Sequence, residues 1–218
     1  MLLYGGLGAG CFAAGVGPSP SALVEAFVNR NPPPRLVKWQ GLYPVFPTDF
    51  DWPEDGRVHR SLRTLIEHAE AAWPEMVRHL DDARYCATVD EALSCEYAMN
   101  WTVGDVCREI IAGSLTRCYL TRLGPLDKMT FVRLENRPIT ADAKKLRAWC
   151  EARSALPLYE IQIGACRAVL AEVEGGGWPP AAAERRRQRA AEIEAVIQSL
   201  RASRTAYHFA GFGESMRG

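Results

Sequence analysis

The chain lacks net charge at neutral pH, because 26 Lys and Arg balance 26 Asp and Glu. Nothing global therefore draws it toward nucleic acid or anionic lipid. It has only four histidines, His59, His68, His79 and His208, and no pair of them has the i, i+4 spacing of a helical zinc site. No two of its seven cysteines stand in CxxC spacing, which argues against a zinc ribbon or a thioredoxin-like centre. It carries no GxSxG elbow, no HExxH helix and no phosphate-binding P-loop. Gly5–Gly10 is glycine-rich but follows no strand and opens no strand–helix unit, so it reads as no nucleotide loop. The apolar, charge-free stretch Met1–Val16 falls short of the roughly 20 residues that span a bilayer.

What is present suits one globular unit. Its 218 residues are 48% hydrophobic and 24% charged, enough to bury a core. The charge is unevenly spread. Residues 1–109 hold 9 Lys/Arg against 15 Asp/Glu, and residues 110–218 hold 17 against 11. The two halves either neutralise one another on packing, or leave a basic C-terminal surface for an acidic partner.

Met1–Val16 matches the apolar part of a secretory signal but has no positive n-region. Leu7–Cys11 resembles a lipobox with its leucine one position early, which makes Cys11 a candidate lipidation site. The expected organisation is an apolar segment at 1–17, a single helical domain at 18–204 and a flexible tail at 205–218. Export to the cell envelope follows as an expectation, with a cytoplasmic location as the alternative. Export would favour disulfides among the remaining six cysteines. Cys107 and Cys118 share a predicted helix and stand ~16 Å apart, beyond the ~7 Å reach of a disulfide. Cys86 and Cys95 flank a loop and form the best local pair. Cys107, Cys150 and Cys166 also fit as small core residues.

The helical signals run along most of the chain. Ser19-Pro20 reads as an N-cap followed by Pro at the first helical position, and Pro32–Pro34 stops that helix. Arg35–Gly56 reads as an extended aromatic strap holding Trp39, Tyr43, Phe46, Phe50 and Trp52. Val58, Leu62, Leu65, Ile66 and Ala69 form a helical stripe. A second helix opens at Trp73-Pro74 with Met76, Val77 and Leu80 on one face, and ends at the turn-like Asp81-Asp82. Residues 83–101 read as a long connection. Thr102-Val103-Gly104-Asp105 resembles a capping box. It opens a stripe of Val103, Val106, Cys107, Ile110, Ile111, Leu115 and Cys118. Thr130–Leu134 could form a strand, but no second strand is evident for it to pair with. Thr140 can cap a helix bearing Leu146, Trp149 and Cys150. Ser154–Val173 buries Leu158, Ile161, Ala165, Cys166, Val169 and Leu170, and Gly175–Gly177 supplies a left-handed stop. The last helix, about 180–204, has Ile193, Val196, Ile197 and Leu200 as its stripe, and Thr205–Gly218 frays or drapes. The expected fold is therefore all-α, about six helices in antiparallel hairpins with an aromatic strap.

"AWPEMVRHLDD" (Ala72–Asp82) and "WTVGDVCREIIAGSL" (Trp101–Leu115) together resemble a degenerate HEAT-type helical unit. Their connection is roughly twenty residues, where HEAT hairpins use a short turn, and no regular array follows. "NWTVGDVC" and "LPLYEIQI" are similar to strings in bacterial proteins with signal-like N-termini, from which no activity carries over. The resemblance implies a helical interaction scaffold.

Two function classes follow. The leading one is a non-enzymatic helical binding or scaffold protein of the bacterial cell envelope. Its contacts would come from Tyr85, Tyr97 and Trp101 on the long connection, and from Arg185, Arg186, Arg187 and Arg189. Those arginines ring the first turns of a helix, where the dipole disfavours cations, and would suit an acidic protein or phosphate partner. The alternative is a hydrolase or metal-dependent enzyme. It would use His79, Asp81, Asp82 and Cys86, with His68 as a possible further metal ligand. No motif calls for a cofactor or a bound metal, and a membrane contact would run only through the N-terminal segment.

Overall fold

The computed structural model describes residues 18–38, 42–90, 98–116, 119–121, 130–132, 139, 142–176 and 179–207. The fold is mixed α/β, which corrects the all-α expectation. Seven α-helices are joined by three antiparallel two-stranded hairpins among the described residues. In chain order they are α1 (Pro20–Glu25), β1 (Arg35–Lys38), β2 (Leu42–Val45), α2 (Trp52–Glu67), α3 (Ala69–Arg78), β3 (Tyr85–Asp90), β4 (Ala98–Thr102), α4 (Val103–Thr116), β5 (Tyr119–Thr121), β6 (Thr130–Val132), α5 (Ala143–Glu151), α6 (Leu158–Gly175) and α7 (Ala183–Ser203).

The strands stand where irregular connections were expected. The aromatic strap is the hairpin β1–β2 followed by the start of α2, and β2 lies against β4. Phe46, Phe50 and Trp52 meet edge-on or tilted with ring centroids 4.8 Å apart, tying the hairpin's end to that helix start. The long connection 83–101 is the hairpin β3–β4, so the two helices resembling a HEAT unit are separated by a sheet. A bulge between Tyr85 and Ala87 lets Cys86 and Ala87 both be buried, which hides the two-residue alternation of a strand. Thr130–Val132 does have a partner, Tyr119–Thr121.

Ser19, Asp51, Thr102 and Asp142 cap the starts of α1, α2, α4 and α5. Ser19 Oγ accepts from Ala22 N at 3.2 Å, as expected. Asp51 Oδ1 accepts from Glu54 N at 3.0 Å, so α2 begins earlier than its stripe implied. α3 begins at Ala69, and Pro74 lies inside it. Asp142 caps α5 at 2.7 Å in place of Thr140, which lies outside the described residues. The residue after α6, Gly176, is extended (φ −68°, ψ 144°), so the expected left-handed stop is not at that residue; Gly177 lies outside the described residues. A left-handed residue does follow α7, at Arg204 with φ 52°.

Thr102-Val103-Gly104-Asp105 forms the expected capping box. Asp105 N donates to Thr102 Oγ1 at 3.1 Å, and Thr102 N donates back to Asp105 Oδ2 at 3.0 Å. Thr102→Ala should therefore cost about 1 kcal/mol, read as a lowered urea midpoint with unchanged slope; an unmoved midpoint would show that the box contributes nothing.

Two apolar clusters share α6. The larger joins α1–α5, β3 and one face of α6 through residues such as Phe27, Leu65, Met76, Ile110 and Leu146. The smaller packs Ile163, Cys166, Val169 and Val173 against Ile193, Val196, Ile197 and Leu200 of α7. Fully buried Gln162 stands between them. Its Nε2 donates to Ser114 O at 3.0 Å and Tyr207 O at 2.7 Å, and its Oε1 accepts from Tyr207 N at 3.0 Å. The first residues of the expected fraying tail are thus held, and Ala206 is buried. Gln162→Leu removes the Gln162 hydrogen bonds to three backbone groups and should cost about 2 kcal/mol. Amide exchange at Tyr207 should accelerate in that variant, and unchanged protection would contradict the staple.

Candidate functional site

The turn between α3 and β3 concentrates charge on few residues. His79 closes α3, and its Nδ1 lies 2.8 Å from Asp82 Oδ2 while its Nε2 lies 3.3 Å from Glu75 Oε1. Asp82 also accepts from Arg84 Nη2 at 2.6 Å. Arg84 continues to α1, where Nη1 and Nη2 donate to the two Glu25 carboxylate oxygens at 2.7 and 2.8 Å. The bidentate fork fixes geometry as well as charge. Arg84's hydrogen bonds hold the Asp82 and Glu25 carboxyls below their usual range.

Those contacts build the fold around them. Gly104 N donates to Asp82 O at 2.9 Å, and Val103 N donates to Arg84 O at 2.8 Å. The turn thus satisfies two of the amides that the start of α4 would otherwise leave unpaired. A parallel cluster closes α1: Arg57 binds the carbonyls of Ala26 and Val28 and both oxygens of Glu54, whose carboxyl is lowered to about 2 by that guanidinium.

A carboxylate with a depressed folded value stabilises the fold while ionised, because it keeps its charge to lower pH in the folded chain than in the unfolded one. Their contribution is complete above the unfolded value near 4 and is lost as pH falls toward the folded one. The denaturation midpoint should therefore hold from neutrality to about pH 5 and fall between about pH 4.5 and 2. Asp82→Asn should flatten part of that fall; an identical slope in the variant would remove Asp82 from the acid response.

The remaining proposed catalytic groups do not join this turn as a reactive set. Asp81 points to α5 and pairs with Arg147. Cys86 is fully buried, and burial pushes its thiol well above the ordinary range, with Cys107, Asp55 and Asp105 adding to the rise. Burial likewise pushes Cys107 and Cys150 up to about 12. Cys86, Cys107, Cys150 and Cys166 are in no disulfide among the described residues, and Cys95, the expected partner of Cys86, lies outside them. Cys11, Cys95, Cys118 and His208 lie outside the described residues. His68 sits at the α2–α3 junction and is exposed. Among the described residues no group of three or more His, Cys, Asp or Glu could hold a metal.

The proposed binding residues lie apart. Tyr85 is half-buried on β3, and burial pushes its hydroxyl up to about 12; it meets Thr88 Oγ1 at 2.8 Å, which donates to Asn100 Oδ1 at 2.8 Å. Trp101 packs half-buried against the larger core from β4. Tyr97 lies outside the described residues. Arg185, Arg186, Arg187 and Arg189 open α7, as expected. Arg187 pairs with Glu184, and Arg189 pairs with Glu192 at 3.5 Å. Arg185, Gln188, Arg189 and Glu192 line a shallow surface depression.

A site that sequence reasoning missed lies at the other end of α7. A cleft of about 710 Å³ opens between α5, α6 and α7. Arg153, Arg167, Arg201 and Arg204 converge on it from three stretches far apart in sequence, against the single carboxylate of Glu160. Arg153 lies over the Trp149 ring, its Cζ 4.2 Å from the centroid, and donates to Trp149 O at 3.1 Å. Tyr159 hydroxyl accepts from Arg204 Nε at 3.4 Å and donates to Glu160 Oε1 at 3.1 Å. The only early signal was the basic excess of residues 110–218, which does not say where the charges meet. No family model, curated protein or solved structure matches the chain.

Proposed function

We propose that the chain is a non-enzymatic helical binding protein whose partner is an acidic protein surface laid along α7. One observation carries this reading: α7 has more arginine than its own carboxylates can pair. Glu184 is taken by Arg187, Glu192 by Arg189 and Gln188, and Glu194 by Gln198. Arg185 and Arg186 have no ion pair among the described residues, although they stand where the helix dipole repels cations. An acidic partner would relieve that conflict. The cell envelope is the compartment we propose for it, on the signal-like pattern of Met1–Val16; no disulfide among the described residues adds support.

A hydrolase built on His79, Asp81, Asp82 and Cys86 has less behind it. Thiol attack needs an ionisable sulfur beside a base, and burial opposes ionisation of Cys86. Both ring nitrogens of His79 already face carboxylates.

The test compares capture of envelope proteins by the full chain and by an Arg185→Glu/Arg186→Glu variant of equal melting temperature. The reading expects an acidic protein bound by the full chain, weakened about tenfold or more in the variant and by added salt. Equal recovery by both forms would overturn it.

A further inference from the structure

We propose that the cleft between α5, α6 and α7 is a binding site for a compact, multiply charged phosphate ligand, separate from the acidic-protein surface at the start of α7. Four guanidinium groups share the cleft with one carboxylate. Glu160 is already engaged by the Tyr159 hydroxyl. Neither Arg167 nor Arg201 has a carboxylate partner among the described residues. Helix dipoles account for cations near the ends of α5 and α7. They do not account for Arg167, which stands in the middle of α6.

Two of the four cationic groups, Arg153 and Arg204, are held in place, while Arg167 and Arg201 are exposed. Arg153 is held on the Trp149 ring and carbonyl, so little side-chain freedom remains to be lost on binding. Arg204 holds a left-handed backbone, φ 52°, at the position after a helix where glycine costs least. A non-glycine residue there carries strain, and such strain gathers at ligand sites. The strained residue directs its guanidinium to Tyr159 at the cleft wall.

The ligand class follows from charge, shape and size. Planar guanidinium forks match the oxygens of phosphate in pairs. An excess of three positive charges in one cleft repels itself when empty, and a single carboxylate would neutralise only part of it. The volume of about 710 Å³ falls in the range of small-molecule sites and would hold a di- or triphosphate with an attached organic group. The opening arginines of α7 lie about 24 Å away along the helix axis, so the two sites can be tested separately.

The experiment titrates the full chain with tripolyphosphate, with ATP and with citrate, following melting temperature and heat of binding. The expected result is saturable stabilisation by tripolyphosphate and ATP, about tenfold or more tighter than by citrate. Arg167→Ala and Arg201→Ala should each weaken binding about tenfold while leaving the ligand-free melting temperature unchanged or raised. Arg185→Glu/Arg186→Glu should bind phosphate as the full chain does, whatever its effect on a protein partner. No saturable response, an equal response to citrate, or equal loss in the α7-start variant would each overturn the assignment.

Discussion

Ile110→Asp should abolish cooperative folding. Ile110 lies in the middle of α4, fully buried within the larger core. Removing a large aliphatic side chain from such a site alone costs about 2–5 kcal/mol. A carboxylate placed there must either stay charged without a partner or protonate, and both cost free energy. Domains have about 5–15 kcal/mol of total stability, and the two losses together consume most of it. The variant should show no sigmoidal denaturation curve and should collect in the insoluble fraction. Ile110→Val, which keeps the stripe, should cost only about 1 kcal/mol and retain the transition. A soluble, cooperatively melting Ile110→Asp protein would mean that this face of α4 is not core.

That stripe is also where the sequence was most legible. Val103, Val106, Cys107, Ile110, Ile111 and Leu115 were expected on one face, and all six are fully buried. The apolar residues of α7 were equally plain: Ile193, Val196, Ile197 and Leu200 are all buried. A helix of three or more turns repeats its pattern often enough to be read. The hairpins did not repeat theirs. β5 and β6 have three residues each, β1 and β2 four, and the bulge in β3 breaks alternation where it would have counted. Tyr119–Thr121 and Thr130–Val132 pair as neighbours in sequence, but three residues each are too few to show an alternation.

The candidate sites divide in the same way. His79 and Asp82 are close in sequence and were read together, but Arg84 was not singled out; that they brace a turn instead of forming a reactive set depended on Arg84 and on Glu25, which is 59 residues away from Arg84. The arginine run at 185–189 was visible because it is contiguous. The cleft arginines, by contrast, come from 153, 167, 201 and 204, and only the packing of α6 against α7 brings them together. Composition registered the charge of the C-terminal half without its location.

Gly104→Ala should destabilise by about 3 kcal/mol, at the upper end of what an extra buried carbon costs, although helix propensity alone predicts a gain of roughly 1 kcal/mol for that change. The sign is decided by what lies against the helix. A Cβ at Gly104 would stand 2.7 Å from Leu80 O and 3.1 Å from both Asp82 N and Asp82 O. These are backbone atoms of the turn whose Asp82 carbonyl accepts from Gly104 N, so they cannot yield as a flexible side chain would. Relief requires α4 to withdraw from the turn, which breaks that hydrogen bond and loosens the Asp82–Arg84–Glu25 chain tying α1 to it. At 218 residues, a loss of this size corresponds to a melting temperature lower by roughly 6–12 °C. Gly56→Ala supplies the contrast. It is also in a helix, α2, but a Cβ there meets only the far end of Arg60 at 3.4 Å. That variant should be neutral or stabilised. If both variants shifted the melting temperature alike, close packing of α4 on the Leu80–Asp82 turn would not be what requires glycine at 104.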